Sequence, residues 1–150
     1  MRAIIQRVTS CDLHIDGILH ASILQGLLVL LGITHDDDLS DIDYLIRKIL
    51  QMRIFADREG KMNDSVLDCN GHIMVVSQFT LFASTKKGNR PGFTAAAKPD
   101  LAIPLYNTFM QRIQEISNLT ITSGVFGADM KITLINDGPV TIFIDSKHPE

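Results

Sequence analysis

A chain of 150 residues, 45% hydrophobic and 21% charged, has the size and balance of one globular domain, residues 1–150, with no room for a second. A formal net charge of −3 and a pI near 5.9 count against a general nucleic-acid binder, though not against a local basic patch. The opening residues 1–7 lack the apolar core of a secretory signal, and the longest apolar run, residues 27–31, is too short to cross a bilayer. A soluble, cytoplasmic protein without a membrane partner is expected.

Two cysteines, Cys11 and Cys69, have no C-x-x-C spacing and read as reduced thiols. His14, His20, His35, His72 and His148 form no metal-ligand pattern, so neither a metal nor a cofactor is called for. His35-Asp36-Asp37-Asp38 reads as a solvated acidic lead-in to a helix.

In chain order, residues 3–8 predict a strand and residues 11–15 alternate apolar with polar; Asp16-Gly17 is a tight hairpin signal, returning through residues 18–23. Residues 27–33 form an unalternating apolar run, the pattern of a strand covered on both faces. Ser40 is placed to cap a helix to about Met52, with Ile42, Leu45, Ile46, Ile49 and Leu50 on one stripe. Residues 53–56 look extended, residues 57–60 turn, and Asn70-Gly71 is a second tight turn feeding a strand at 72–76. A short helix is expected at 94–98. A longer one follows from about Asp100 to Ser117, with Leu105, Phe109, Ile113 and Ile116 on one face and Pro104 near its first turn. Residues 119–122, 125–126 and 129–135 predict further strands. Six to eight short strands with two main helices is an α+β pattern, expected to be antiparallel.

Strand-like residues 131–135 and 140–144 flank Asn136-Asp137-Gly138-Pro139, all turn formers, so a hairpin is the simplest reading. Gly-Pro is an odd closure for one. Proline cannot donate to the ladder, and X-Pro is the linkage for which the cis form is cheap. A cis Gly138-Pro139 pair would turn two carbonyls the same way on a stiff support, an acceptor surface rather than a catalyst.

Ser77, Thr80 and Cys69 are the nucleophile candidates, and a hydroxyl needs a base. His72 lies five residues before Ser77, and odd spacing on a strand points the two to opposite faces. Ser77 and Thr80 therefore read as hydrogen-bonding and shape-setting groups. Lys86, Lys87, Arg90 and Lys98 lie in an acid-free stretch, one basic loop on an acidic body.

Four segments carry a likeness: Ser77-Gln78-Phe79-Thr80-Leu81-Phe82, Lys86-Lys87-Gly88-Asn89-Arg90-Pro91, Gly124-Val125-Phe126-Gly127-Ala128-Asp129-Met130 and Asn136-Asp137-Gly138-Pro139-Val140-Thr141. Together they resemble the D-aminoacyl-tRNA deacylases, and the likeness runs from the first strand nearly to the end of the chain. Lys61-Met62-Asn63-Asp64-Ser65 matches a further family segment. Phe82 stands where tyrosine is common and Gly92 where serine is common; neither touches the two central motifs.

The resemblance implies a barrel-like sheet with the helices against it, a homodimer, and D-aminoacyl-tRNA as the substrate. Ser77, Gln78, Phe79 and Thr80 are the implied catalytic segment. The ribose hydroxyl next to the ester helps position or activate water, and N–H groups around Phe79 and Thr80 stabilise the oxyanion. The resemblance further implies that Gly138 and Pro139, in the cis form, enter the partner's pocket, receive the α-ammonium and exclude any L side chain. Glycine on the wrong tRNA is not excluded. By the same resemblance Phe126 is a pocket or core aromatic, Met130 is core or pocket wall, Arg7 is expected to brace the Gly-Pro loop, and Lys86, Lys87 and Arg90 to meet tRNA phosphates. Two rivals stand beside this reading: a Ser/Thr-nucleophile esterase or amidase, and a non-catalytic tRNA- or DNA-binding accessory protein.

Overall fold

The computed structural model describes residues 1–149. Its frame is the long strand β1 (Arg2–Ile15), one edge of which pairs antiparallel, end to end, with β8 (Met130–Asp145). The other edge is shared. Its first half pairs antiparallel with β3 (Gly26–Gly32), and its second half with β2 (Ile18–Ile23) across the Asp16-Gly17 hairpin. From β3 the sheet continues to β6 (His72–Ser77) and β7 (Ile121–Ser123). These strands make one barrel-like sheet; β4 (Phe55–Ala56) and β5 (Met62–Asp64) form a separate ribbon.

The sheet is mixed rather than antiparallel, because β3–β6 and β6–β7 are parallel. Each of these steps crosses over through a helix: α1 (Leu39–Gln51) lies between β3 and β6, and α2 (Pro99–Ile116) between β6 and β7. Strand, helix, strand is the order that brings a chain back in the same direction.

Two cores result, one on each face of β3 and β6. Leu27, Val29, Leu31, Ile73 and Val75 pack with the helices and with Ala3 and Ile5. Leu28, Met74 and Val76 face Val8, Cys11, Leu13 and Ile23 from the β1–β2 hairpin. Burial on both faces is why residues 27–33 show no alternation.

Several local expectations are corrected. The cap of α1 is Asp38, not Ser40: its side chain accepts from Ser40 N–H at 2.8 Å, while Asp38 N–H donates to Asp41 Oδ2 at 2.8 Å. That reciprocal box needs a carboxylate three residues on, which Asp41 supplies. Asp37 is not solvated; it is buried and pairs with the equally buried Met1 ammonium. Residues 94–98 are not helical, because Ala96 bridges Thr34 and Ala97 N–H donates to Ile33 O at 2.9 Å, tying the segment to the end of β3. Pro99 opens α2, which moves Pro104 inside the helix. The inner face of α2 is Ala102, Tyr106, Phe109 and Ile113, while Ile116 at its end is 64% exposed. Residues 125–126 lie in a turn rather than a strand.

The largest correction concerns residues 136–141. They close no hairpin, since β8 runs through them. Gln6 pairs with Thr141 and Val8 with Asn136, so residues 137–140 bulge out of the strand opposite Arg7.

Candidate active site

The parallel strands β3 and β6 end side by side, Leu31 opposite Ser77, and beyond their carboxyl ends the chains part to leave a cavity of about 320 Å³. The carboxyl end of parallel strands is where such crevices form. Leu31, Ile33, Val76, Ser77, Gln78, Phe79, Phe126 and Met130 line this one. Of the residues expected from sequence, Ser77, Gln78, Phe79, Phe126 and Met130 are thus brought together. Thr80, Arg7, Gly138 and Pro139 lie outside the lining.

The strand ends at Ser77, and residues 79–82 wind into a single 3₁₀ turn. Gln78 N–H donates to Leu31 O at 2.7 Å, which ties the turn to β3, and Leu81 N–H closes back on Gln78 O at 3.2 Å. The first N–H groups of any helical turn have no partner within it. Here the N–H groups of Phe79 and Thr80 meet no acceptor among the described residues. The side chain of Gln78 donates to Thr80 Oγ1, and the Phe79 ring packs edge-on against Phe93, centres 5.1 Å apart at 72°. Phe126 makes a similar contact with Tyr106 at 6.0 Å, and the Tyr106 hydroxyl donates to Val75 O at 2.8 Å. Burial pushes the Tyr106 phenol up to about 12, so it stays a neutral donor.

Asp129 is the one ionisable side chain on the cavity wall among the described residues, and it is exposed and paired with Lys131 at 2.7 Å. It falls inside the Gly124-to-Met130 segment, but sequence reasoning gave it no role. His72 starts β6 and Ser77 ends it, a span of about 16 Å at strand rise, beyond any hydrogen bond. Burial, with the Asp12 charge behind it, pushes the Cys11 thiol up to about 11. Burial raises Cys69 as well, and a raised thiol is a poor nucleophile.

The remaining residues expected from sequence, Arg7, Gly138 and Pro139, meet at the bulge of β8. Asn136 organises it: Oδ1 accepts from Val140 N–H at 2.8 Å and Nδ2 donates to Thr141 Oγ1 at 2.8 Å. From β1, Arg7 Nε donates to Asp137 O at 3.1 Å and pairs with Asp137 Oδ2 at 3.0 Å, while its guanidinium also reaches Ile54 O. Gly138 has φ +125°, and a Cβ there would stand 2.9 Å from Arg7 Nη2 and 2.8 Å from Val140 Cγ2. The Gly138-Pro139 peptide is cis, and both residues are exposed at the tip.

The basic loop roots beside the cavity. Ser84 and Gly92 exchange backbone hydrogen bonds of 2.8 and 2.9 Å, closing a loop on which Lys86, Lys87 and Arg90 are all exposed. Phe93, next after Gly92, is the residue packed on Phe79. Lys98 stands apart, at the start of α2.

Comparison with known proteins agrees with this arrangement. The family model described as D-Tyr-tRNA(Tyr) deacylase matches residues 4–145. A D-aminoacyl-tRNA deacylase of Cytophaga hutchinsonii is 57% identical over the whole of both chains. Among solved structures, a c-Myc DNA unwinding element binding protein superposes with a TM-score of 0.92 at 39% identity, covering 97% of this chain and 98% of that one. A probable eukaryotic D-amino acid tRNA deacylase superposes with a TM-score of 0.81 at 19% identity, over 95% and 97% of the two chains, and shares the fold. A family match across the sheet, the cavity and the bulge, with a full-length relative, leaves one assignment: the chain belongs to the D-Tyr-tRNA(Tyr) deacylase family.

Proposed function

We propose that this chain, a single domain working in the cytoplasm, hydrolyses the ester of D-aminoacyl-tRNA to free D-amino acid and tRNA. The observation that carries the reading is the 57% identity, over both full lengths, to a protein named D-aminoacyl-tRNA deacylase. The site fits an ester that needs positioning more than covalent chemistry. The cavity suits one acyl or nucleoside group, its wall is mainly apolar, and no histidine or cysteine borders it among the described residues. The free N–H groups of Phe79 and Thr80 supply donors for a tetrahedral oxyanion, each worth a few kcal/mol when well aimed, roughly 3 by analogy with other oxyanion holes. Water attacks with help from the substrate's own ribose hydroxyl, and Ser77 and Gln78 shape the floor.

Chirality is set by the Gly138-Pro139 tip of a second subunit in a homodimer. Its carbonyls receive the substrate ammonium, and its main chain occupies the direction an L side chain would take. A backbone wall rejects every L side chain, whereas a soft pocket separates substrates differing by one methylene by only about 1–3 kcal/mol. The exposed tip, braced by Arg7 and outside the lining of its own cavity, supports a role across subunits. Glycine carries no side chain to exclude, so glycyl-tRNA is a second substrate.

The deciding experiment is amino-acid release from matched D-, L- and glycyl-tRNA, with the mass of the protein in solution measured alongside. D and glycine released, L retained and a dimeric mass are expected. Equal D and L rates would remove the handedness argument, and an active monomer would remove the second subunit from it. The relative named for DNA binding, together with the basic loop, favours one other reading, a nucleic-acid-binding protein without catalysis. Release of any D-amino acid dismisses it.

A further inference from the structure

The Phe79 and Thr80 N–H groups are only as well aimed as the turn that carries them. That turn is held at its far end by the second residue of the chain. Arg2 donates from Nη1 to the Leu81 carbonyl at 2.9 Å and from Nε to Asp145 Oδ2 at 2.9 Å. Its guanidinium carbon lies 4.5 Å from the centre of the Phe82 ring and 5.9 Å from that of Phe143. One planar group therefore grips residues 81 and 82 together and ties both to the last residue of β8.

Strand register explains the arrangement. Arg2 pairs with Asp145 across one edge of β1 and with Gly32 across the other. A Cβ on Gly32 would stand 3.0 Å from Gln78 O, 3.0 Å from Leu81 Cβ and 3.2 Å from the Phe82 ring. The missing side chain lets the turn lie directly on the end of β3, with Arg2 reaching its carbonyl end. Asp145 is 8% exposed; burial works against its charge, but hydrogen bonds from Arg2 and from Lys147 N–H outweigh that and hold its carboxyl below the ordinary range. The anchor of Arg2 is thus ionised at neutral pH.

In a helical turn the N–H groups point to one end and the carbonyls to the other, so fixing the Leu81 carbonyl fixes the direction of the N–H groups behind it. We propose that Arg2, anchored by Asp145, is a positioning residue for deacylation: it sets the orientation of the 79–82 turn so that the Phe79 and Thr80 N–H groups meet the developing oxyanion. This role rests on the deacylase reading. It calls for a guanidinium, because a planar fork bonds two acceptors while its face stacks on a ring, and an ammonium does not do all three.

The test is steady-state deacylation of D-aminoacyl-tRNA by the full-length protein carrying Arg2→Lys or Arg2→Met, with thermal melts and amide hydrogen exchange over residues 79–82. For Arg2→Lys, kcat is expected to fall about tenfold, the effect of a badly aimed donor, with KM within about twofold and an unchanged melt. Exchange over the turn rises while β3 and β6 stay protected. If Arg2→Met fails to fold, Arg2→Lys, which keeps a charge beside Asp145, decides alone. An unchanged kcat, a change confined to KM, or a loss that follows global unfolding in Arg2→Lys overturns the role. An unsubstituted protein that releases no D-amino acid brings down the deacylase reading and this role together; activity there with kcat intact in Arg2→Lys brings down only this one.

Discussion

At Gly138 the backbone sits at φ +125°, where an L side chain costs about 1–2 kcal/mol, and a methyl group would press on Arg7 Nη2. Gly138→Ala is therefore expected to keep the fold but displace the tip that Arg7 braces. Under the proposed function its ratio of D to L turnover drops by about tenfold or more, the worth of roughly 1.4 kcal/mol of lost exclusion, measured on matched substrates. Ser77 gives the opposite expectation. No histidine lines its cavity among the described residues, so under the proposed function it serves as a shape-setter, and so does Thr80, whose hydroxyl accepts from Gln78. Ser77→Ala and Thr80→Ala should each keep turnover within about tenfold and trap no acyl-enzyme, whereas removing a true nucleophile costs about 10⁴-fold or more. Loss of all turnover with a trapped acyl group would hand the site to the nucleophile mechanism. The Ser77–His72 separation was legible in the sequence, because alternation along a strand is a local rule. Arg2 was not, since its partners Leu81 and Asp145 are brought to it only by the pairing of β1.

At the scale of elements, the start of α1 is bound to the end of the chain. Asp41 accepts from Ser146 Oγ at 2.6 Å, Lys147 Nζ at 2.8 Å and Asp38 N–H at 2.8 Å. Burial works against this carboxylate, yet the bonds from Lys147, Ser146 and Asp38 outweigh it and hold its carboxyl below the ordinary 3.8. A depressed folded value stabilises the protein above pH 3.8 and loses that contribution as pH falls through the folded value. Asp41→Asn should cost about 1–2 kcal/mol in urea unfolding at pH 7, and the gap to the unsubstituted protein should narrow in acid. The stripe of α1 was readable from its apolar spacing; its cap was misassigned because Ser40 and Asp38 are both good caps. The choice depended on Asp41, which lies one turn inside. The parallel pairs of β3, β6 and β7 were missed for another reason. Periodicity reports which faces are covered and is silent about strand direction, although the helices lying between these strands carried that signal.

For the molecule as a whole, an acidic body carries its exposed Lys86, Lys87 and Arg90 on one loop rooted at the cavity. If these residues contact the RNA backbone, replacing all three by alanine should raise KM steeply at physiological salt and leave kcat nearly intact. The slope of log affinity against log salt should flatten by about two to three, one unit or slightly less for each phosphate contact removed. An unchanged slope would place the RNA elsewhere. Motif likeness made the family legible from the sequence and named segments of which Ser77, Gln78, Phe79, Phe126 and Met130 prove to line one cavity, but that residues 136–141 bulge from an unbroken strand became visible only in the pairing of β8 with β1.

That single strand keeps count. Met130, Ile132 and Leu134 turn inward before the bulge, and Val140, Ile142 and Ile144 turn inward after it, all at even positions. Between Val8–Asn136 and Gln6–Thr141 β8 takes five steps to the two of β1, an odd excess that carries its even residues from one core to the other. Two residues can be added or taken away and every later side chain keeps its side. Losing just one would send Ile142 and Ile144 into water and drive Phe143 into the space they filled. The protruding segment can therefore change its length only in even steps, and Gly138 and Asn136 fix its composition as well.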